Sequence, residues 1–100
     1  MTMDKLKKMI EQRAKIISNQ HLFEFPEFVS LVRESICVTK QQMAIDLKMN
    51  YPTLFNIEKG KFCEPMDDTT LKEIAEYLAV DFKLLKEKCY AFTGRVLPKC

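Results

Sequence analysis

Glycine is nearly missing from this chain, at two residues in a hundred, tryptophan is absent, and proline appears only four times. A turn-rich all-β sandwich needs small and cyclic residues at its many reversals, so this scarcity argues against that class. No apolar run approaches the roughly 18 residues that span a bilayer. The opening Met1-Thr2-Met3-Asp4-Lys5-Leu6-Lys7-Lys8 lacks the apolar stretch of a secretory signal, which makes the cytoplasm the expected location. Cys37, Cys63, Cys89 and Cys100 form no C-x-x-C pair, and His21 is the single histidine. Zinc-ligand spacing is therefore lacking, and the cysteines read as reduced thiols in the core or on the surface. With no P-loop, nucleophile elbow or glycine-rich nucleotide fingerprint, neither an enzyme nor a bound cofactor or metal is expected.

What is present is charge and helical periodicity. Sixteen Lys+Arg against fourteen Asp+Glu give a net +2, which hides an uneven distribution. Met1 to Gln20 carries +3, Thr39 to Lys61 carries +2, and Lys61 to Glu76 carries −3. An amphipathic helix is predicted from Asp4 to about Ser18, with Leu6, Ile10 and Ile17 on one stripe and the Lys5, Lys7, Lys8, Arg13 and Lys15 cluster as its solvated face. After a break at residues 19–25, Pro26 suits the first turn of a second helix bearing Phe28, Leu31, Val32 and Ile36, ending near Ser35 to Cys37. Thr39 and Gln42 read as a capping box opening a short helix that ends near Lys48. A further helix with Leu54 and Ile57 ends at Lys59-Gly60, where Gly60 suits a left-handed terminus. Asp67-Asp68-Thr69-Thr70 supplies several possible caps, Thr70 to Glu73 offers a second capping box, and Asp81 caps a last helix with Phe82, Leu85, Cys89 and Phe92 inside. Thr93 to Cys100, with Gly94 and Pro98, is expected to be irregular. The chain divides into an N-terminal helix and linker (1–25), a helical domain (26–92) and a tail (93–100).

Met43, Ala44, Leu47, Met49, Leu54 and Ile57 are spaced as a helix-turn-helix requires. Ala44 is small enough for the second helix to cross close to the first, Met49 plugs the turn, and Leu54 and Ile57 anchor the second helix, leaving its other face free. The run Thr39-x-x-Gln42-Met43-Ala44-x-x-Leu47, then Thr53-Leu54-x-x-Ile57-Glu58-x-Gly60-Lys61, Pro65, and Leu71-x-x-Ile74-Ala75-x-x-Leu78-x-Val80 extend the pattern. From Phe28 to about Tyr90 the chain resembles the lambda-repressor-like, Cro-type (XRE) helix-turn-helix family. The resemblance implies an all-α, compact five-helix DNA-binding domain, here preceded by an extra helix, whose recognition helix near Tyr51 enters the major groove. It implies base contacts from Tyr51, Thr53, Phe55 and Asn56, with Asn56 suited to a bidentate contact with adenine and Phe55 to a thymine methyl. Lys40, Lys59, Lys61 and the Gly60 amide become phosphate contacts, and Arg33 and Glu58 a structural ion pair.

Three residues or segments depart from the family pattern. Lys48 stands where the family has glycine in the turn, a left-handed position that strains a lysine by roughly 1 kcal/mol. Pro52 disfavours helical φ/ψ at Tyr51, which predicts a recognition helix starting one residue late, with Tyr51 as cap and Pro52 first in the helix. Cys63-Glu64-Pro65-Met66-Asp67-Asp68 is acidic where relatives are often basic, predicting a modest phosphate footprint. The expected function is a sequence-specific, double-stranded-DNA-binding transcriptional regulator, a repressor acting as a homodimer on a palindrome, because one short helix reads few base pairs. The dimer surface is either the C-terminal set Phe82, Tyr90, Phe92, Val96 and Leu97, slightly favoured, or the N-terminal set Leu6, Met9, Ile10 and Ile17. Two other functions fit the same fold: the antitoxin and autorepressor of a toxin–antitoxin pair, and a protein-interaction adaptor that has lost DNA binding.

Overall fold

The computed structural model describes residues 3–62 and 66–96, the last two by backbone alone. Six α-helices follow one another: α1 (Met3–Ser18), α2 (Phe25–Ser35), α3 (Lys40–Asp46), α4 (Tyr51–Lys59), α5 (Asp68–Leu78) and α6 (Phe82–Val96), with a 3₁₀ turn at Gln20–Leu22. The described residues are all-helical, and none of their helices is long and apolar enough to cross a membrane. The core gathers Phe25, Phe28, Val29 and Val32 of α2, Met43 and Ala44 of α3, and Leu54 and Ile57 of α4. Leu71, Ile74, Ala75 and Leu78 of α5, with Leu85 and Cys89 of α6, complete it. The helical repeat puts each of these sets on one stripe, and burying those stripes drives assembly. Phe25, read from sequence as linker, is the first residue of α2 and fully buried.

Helix α1 lies outside this core and has no buried residue. It packs on α2, with Ile16 against the core edge, and Arg13 fastens it. Arg13 Nη2 donates to the Leu78 carbonyl at 3.0 Å and to the Ala79 carbonyl, placing a cation at the C-terminus of α5. The sequence pattern assigned Arg13 to a solvated face; the unpaired carbonyls of α5 recruit it instead. A second cation missed in the same way is Lys88, whose ammonium donates to Gln20 O at 2.6 Å and Phe23 O at 2.7 Å. It thereby ties the α1–α2 connection to α6, and burial pushes its pKa down.

The helix ends explain how a chain with two glycines makes its turns. In α2, α3, α4 and α5 the last turn closes by the same paired hydrogen bonds. Val38 N–H bonds Arg33 O, Met49 N–H bonds Ala44 O, Lys61 N–H bonds Asn56 O, and Val80 N–H bonds Ala75 O. Each such motif needs one left-handed residue. Gly60 (φ 73°) supplies it once, whereas Cys37 (φ 59°), Lys48 (φ 55°) and Ala79 (φ 55°) take the strained conformation elsewhere. Gly60 is required twice over, since a Cβ there would lie 2.8 Å from Phe92 Cζ.

Four expectations need correction. Thr39 caps α3, its Oγ1 accepting from Gln42 N–H at 3.1 Å, but Gln42 does not reach back; its amide donates to Asp46 Oδ1 at 2.8 Å. Helix α5 begins earlier than Thr70, because the Asp67 carboxylate accepts from Thr70 N–H at 3.1 Å and wins the cap. Helix α4 starts at Tyr51, not Pro52: Asn50 is extended and its carbonyl already accepts from Leu54 N–H. Pro52 then lacks an N–H only where a first-turn donor has no intrahelical partner. Finally, α6 continues through Thr93 to Val96, and the buried Thr93 hydroxyl is satisfied within the helix by donating to Cys89 O and Tyr90 O. Residues 97–100 lie outside the described part. Asp81 does cap α6, accepting from Leu84 N–H at 2.9 Å.

Replacing Ala79 or Lys48 by glycine relieves left-handed strain, so each variant should gain about 1 kcal/mol. In a thermal melt that is a rise of roughly 4–8 °C, while Gly60→Ala should lower the midpoint. Tyr77 donates to Asp46 Oδ2 at 2.6 Å; burial first, then this carboxylate, pushes its phenol up to about 12. The raised folded-state value means that this stabilisation is complete below pH 10 and is lost as the pH climbs toward 12. The melting difference between the native chain and Tyr77→Phe should therefore shrink across that window.

Candidate nucleic-acid interface

Helix α4 turns Leu54, Ile57 and Glu58 inward and leaves Tyr51, Pro52, Thr53, Asn56 and Lys59 exposed. What fixes its orientation is a buried ion pair with α2. Arg33 Nε donates to Glu58 Oε2 at 2.8 Å and Nη2 to Glu58 Oε1 at 3.0 Å, the two side chains being 8% and 1% exposed. The third guanidinium nitrogen donates to Val38 O at 2.7 Å, directly ahead of the Thr39 cap. One side chain therefore positions both α4 and the entry to α3, and it neutralises the carboxylate behind the exposed face.

On that face the predicted residues separate into two edges. Along one edge stand Tyr51, Phe55 and Lys59, successive at a spacing of four, joined by Lys40 from the start of α3. The Lys40 ammonium lies 4.9 Å and the Lys59 ammonium 5.6 Å from the Phe55 ring centroid, and the Tyr51 ring is 6.3 Å away. Along the other edge Thr53, Asn56 and Lys61 line an open cleft of about 540 Å³ that ends in Asp67, Thr70 and Glu73. The Asn56 amide, the Thr53 hydroxyl and the Tyr51 hydroxyl have no hydrogen-bond partner among the described residues, so their capacity faces outward. No described carboxylate pairs with Lys40, Lys48, Lys59 or Lys61.

Gly60 does not belong in this set. Its N–H is spent on Ile57 O at 3.2 Å, closing α4, so the amide has no hydrogen left to offer a phosphate. Conversely, Lys48 joins the set. Sequence reasoning weighed it only as a steric departure, yet it lies on the cleft beside Asn56 and adds a cation there. Two carboxylates of the acidic loop have partners within the fold, although Asp67 lines the cleft. Asp67 is occupied as a cap, with the Thr70 side chain and N–H holding its carboxyl below the usual range. Asp68 pairs with Lys86 at 3.1 Å; Glu64 lies outside the described residues.

Among the predicted dimer residues, Phe92 is half-buried against Phe62, with ring centroids 5.2 Å apart, and Phe82 is half-buried too. Tyr90 is half-exposed, with the Lys86 ammonium 5.8 Å from its ring; Leu97 and the Val96 side chain lie outside the description. The N-terminal set leaves Leu6 46% and Ile10 60% exposed, with Met9 and Ile17 half-buried.

Because removing one partner strands a buried charge, Glu58→Ala should lose about 3–5 kcal/mol in urea titration. An apolar Arg33→Met/Glu58→Leu double variant should lose less than the sum of its parts.

No family model matches the chain, and neither a curated protein nor a solved structure gives a significant match.

Proposed function

We propose that α2 to α6 form a lambda-repressor-like domain, with α1 as an added helix, that binds double-stranded DNA sequence-specifically and represses transcription as a homodimer. The observation that carries this reading is α4 itself: a short helix locked at its back by Arg33 and Glu58, with outward polar groups that have no hydrogen-bond partner among the described residues and four lysines around it that no described carboxylate pairs. Asn56 has the amide geometry to bond the N6/N7 edge of adenine, and Thr53 and Tyr51 carry hydroxyls that suit either bases or phosphates. Lys40, Lys59 and Lys61 supply phosphate contacts, with Lys48 added to them. Repression follows from occlusion, the bound dimer covering an operator that overlaps a promoter. For the dimer, α1 offers the exposed Leu6 and Ile10, and α6 offers the half-exposed Tyr90.

The test is a mobility shift on the DNA upstream of the coding region, run at two salt concentrations beside a scrambled duplex. Binding should be tighter to the former and weaken with salt. Lys40→Ala should weaken all duplexes alike and lower the log–log salt slope by about 1, whereas Asn56→Ala should relax selectivity at one base pair by about 1–3 kcal/mol. Uniform losses for both variants would undo the role given to Asn56, and equal affinity for the scrambled duplex would undo the operator.

A further inference from the structure

Phe55 is the anomaly of the exposed face. It stands in mid-helix between Tyr51 and Lys59, exposed one turn to either side, has no hydrogen-bonding group, and is covered only in part, by Lys40, Lys59 and Tyr51. An ammonium over an aromatic ring is attracted to it, so the two lysines restrain the ring as well as shielding it. Their distances to the ring cap the separation of the two ammoniums at about 10.5 Å. That is less than the roughly 12 Å width of the major groove. While both ammoniums stay over the ring, the pair is too close to bridge the two backbones; it suits neighbouring phosphates of one strand, which recur every ~3.4 Å along the axis. With both lysines on one strand, the ring between them meets the base edges of that strand.

A hydrocarbon ring can gain from a base edge only where that edge is itself apolar. In the major groove the C5-methyl group of thymine is the one apolar group that the four bases display. Cytosine methylated at C5 carries the same group at the same ring position. We propose that the Lys40–Phe55–Lys59 cluster reads the C5-methyl group of a pyrimidine, so that 5-methylcytosine replaces thymine there while cytosine and deoxyuridine do not. The inference rests on the duplex-DNA reading above and adds to it a dependence on base methylation.

The experiment uses the full chain and a duplex selected by it from a random pool. Each thymine of the selected site is replaced in turn by deoxyuridine, by cytosine and by 5-methylcytosine, the last two opposite guanine. At one position deoxyuridine should weaken binding about fourfold, the worth of one buried methyl, and 5-methylcytosine should bind more tightly than cytosine by a similar factor. Phe55→Ala should erase both differences and Phe55→Leu should keep part of them. If Phe55→Ala proves unfolded by circular dichroism, Phe55→Leu decides: both differences must shrink in it, and unchanged differences overturn the proposal. Selective binding that ignores the methyl at every position, or methyl discrimination that survives in folded Phe55→Ala, overturns the proposal while leaving the DNA reading intact. Failure of any duplex to be selected overturns both.

Discussion

The architecture turns on the Arg33–Glu58 pair, because one guanidinium sets three elements at once. Its two bonds to Glu58 fix α4 on α2, and its bond to Val38 O fixes the chain just ahead of α3. Two charges taken from water gain little over an apolar pair of the same shape. The value of the pair lies in what it forbids. Any other docking of α4 leaves a carboxylate buried without a partner, so a sliding or rotated α4 is penalised far more than the native one is rewarded. Apolar contacts from Leu54 and Ile57 are not directional and tolerate such shifts; the fork of the guanidinium does not. A helix whose outer face must meet a ligand in one orientation needs this kind of constraint.

The second constraint is the shortage of glycine. Four helices end with the same motif, yet only α4 has glycine at its left-handed position. The distribution is not arbitrary. At Gly60 a Cβ would meet the Phe92 ring, so strain and collision coincide and any other residue incurs both. Cys37, Lys48 and Ala79 are exposed, and there the cost is backbone strain alone. At Lys48 the strain accompanies a cation beside the cleft that Asn56 lines, a conformational cost accepted for charge on the proposed DNA face.

Much of this was legible in the sequence because it is local. The apolar spacing of α2 to α6 located all five helices, Thr39 and Asp81 announced their caps, and Gly60 announced its conformation. Arg33 and Glu58, 25 residues apart, came only through the family resemblance, since nothing in spacing pairs them. The errors share a cause: competition that the pattern does not rank. Asp67 and Thr70 are both good caps, and the one whose oxygen reaches the other's N–H prevails. Pro52 disfavours helix at Tyr51, but the Asn50 carbonyl and packing of Leu54 outweigh that preference. Thr93 and Gly94 look like a helix end, yet α6 runs through both, with the buried Thr93 hydroxyl satisfied by carbonyls one turn back. Arg13 and Lys88 were unreadable, because their acceptors are backbone carbonyls more than sixty residues away and any exposed end could have offered them.

The small net charge also takes on meaning once the pairings are known. Asp68 is matched by Lys86 and Glu58 by Arg33, while Asp67 faces the positive end of α5. Glu58, Asp67 and Asp68 thus have partners of their own, with Asp67 and Glu73 on the rim of the Asn56 cleft, whereas no described carboxylate pairs with the lysines around α4. A composition that sums almost to zero can therefore present a positive face without a large positive total. Two of those lysines rest over Phe55, which limits the freedom they lose on meeting a phosphate. For a face with so few cations, such restraint raises what each contact returns. Under the proposed reading one copy meets DNA with one short helix, and a second copy docked on the apolar residues that α1 and α6 leave exposed, Leu6, Ile10 and Tyr90, would add its own.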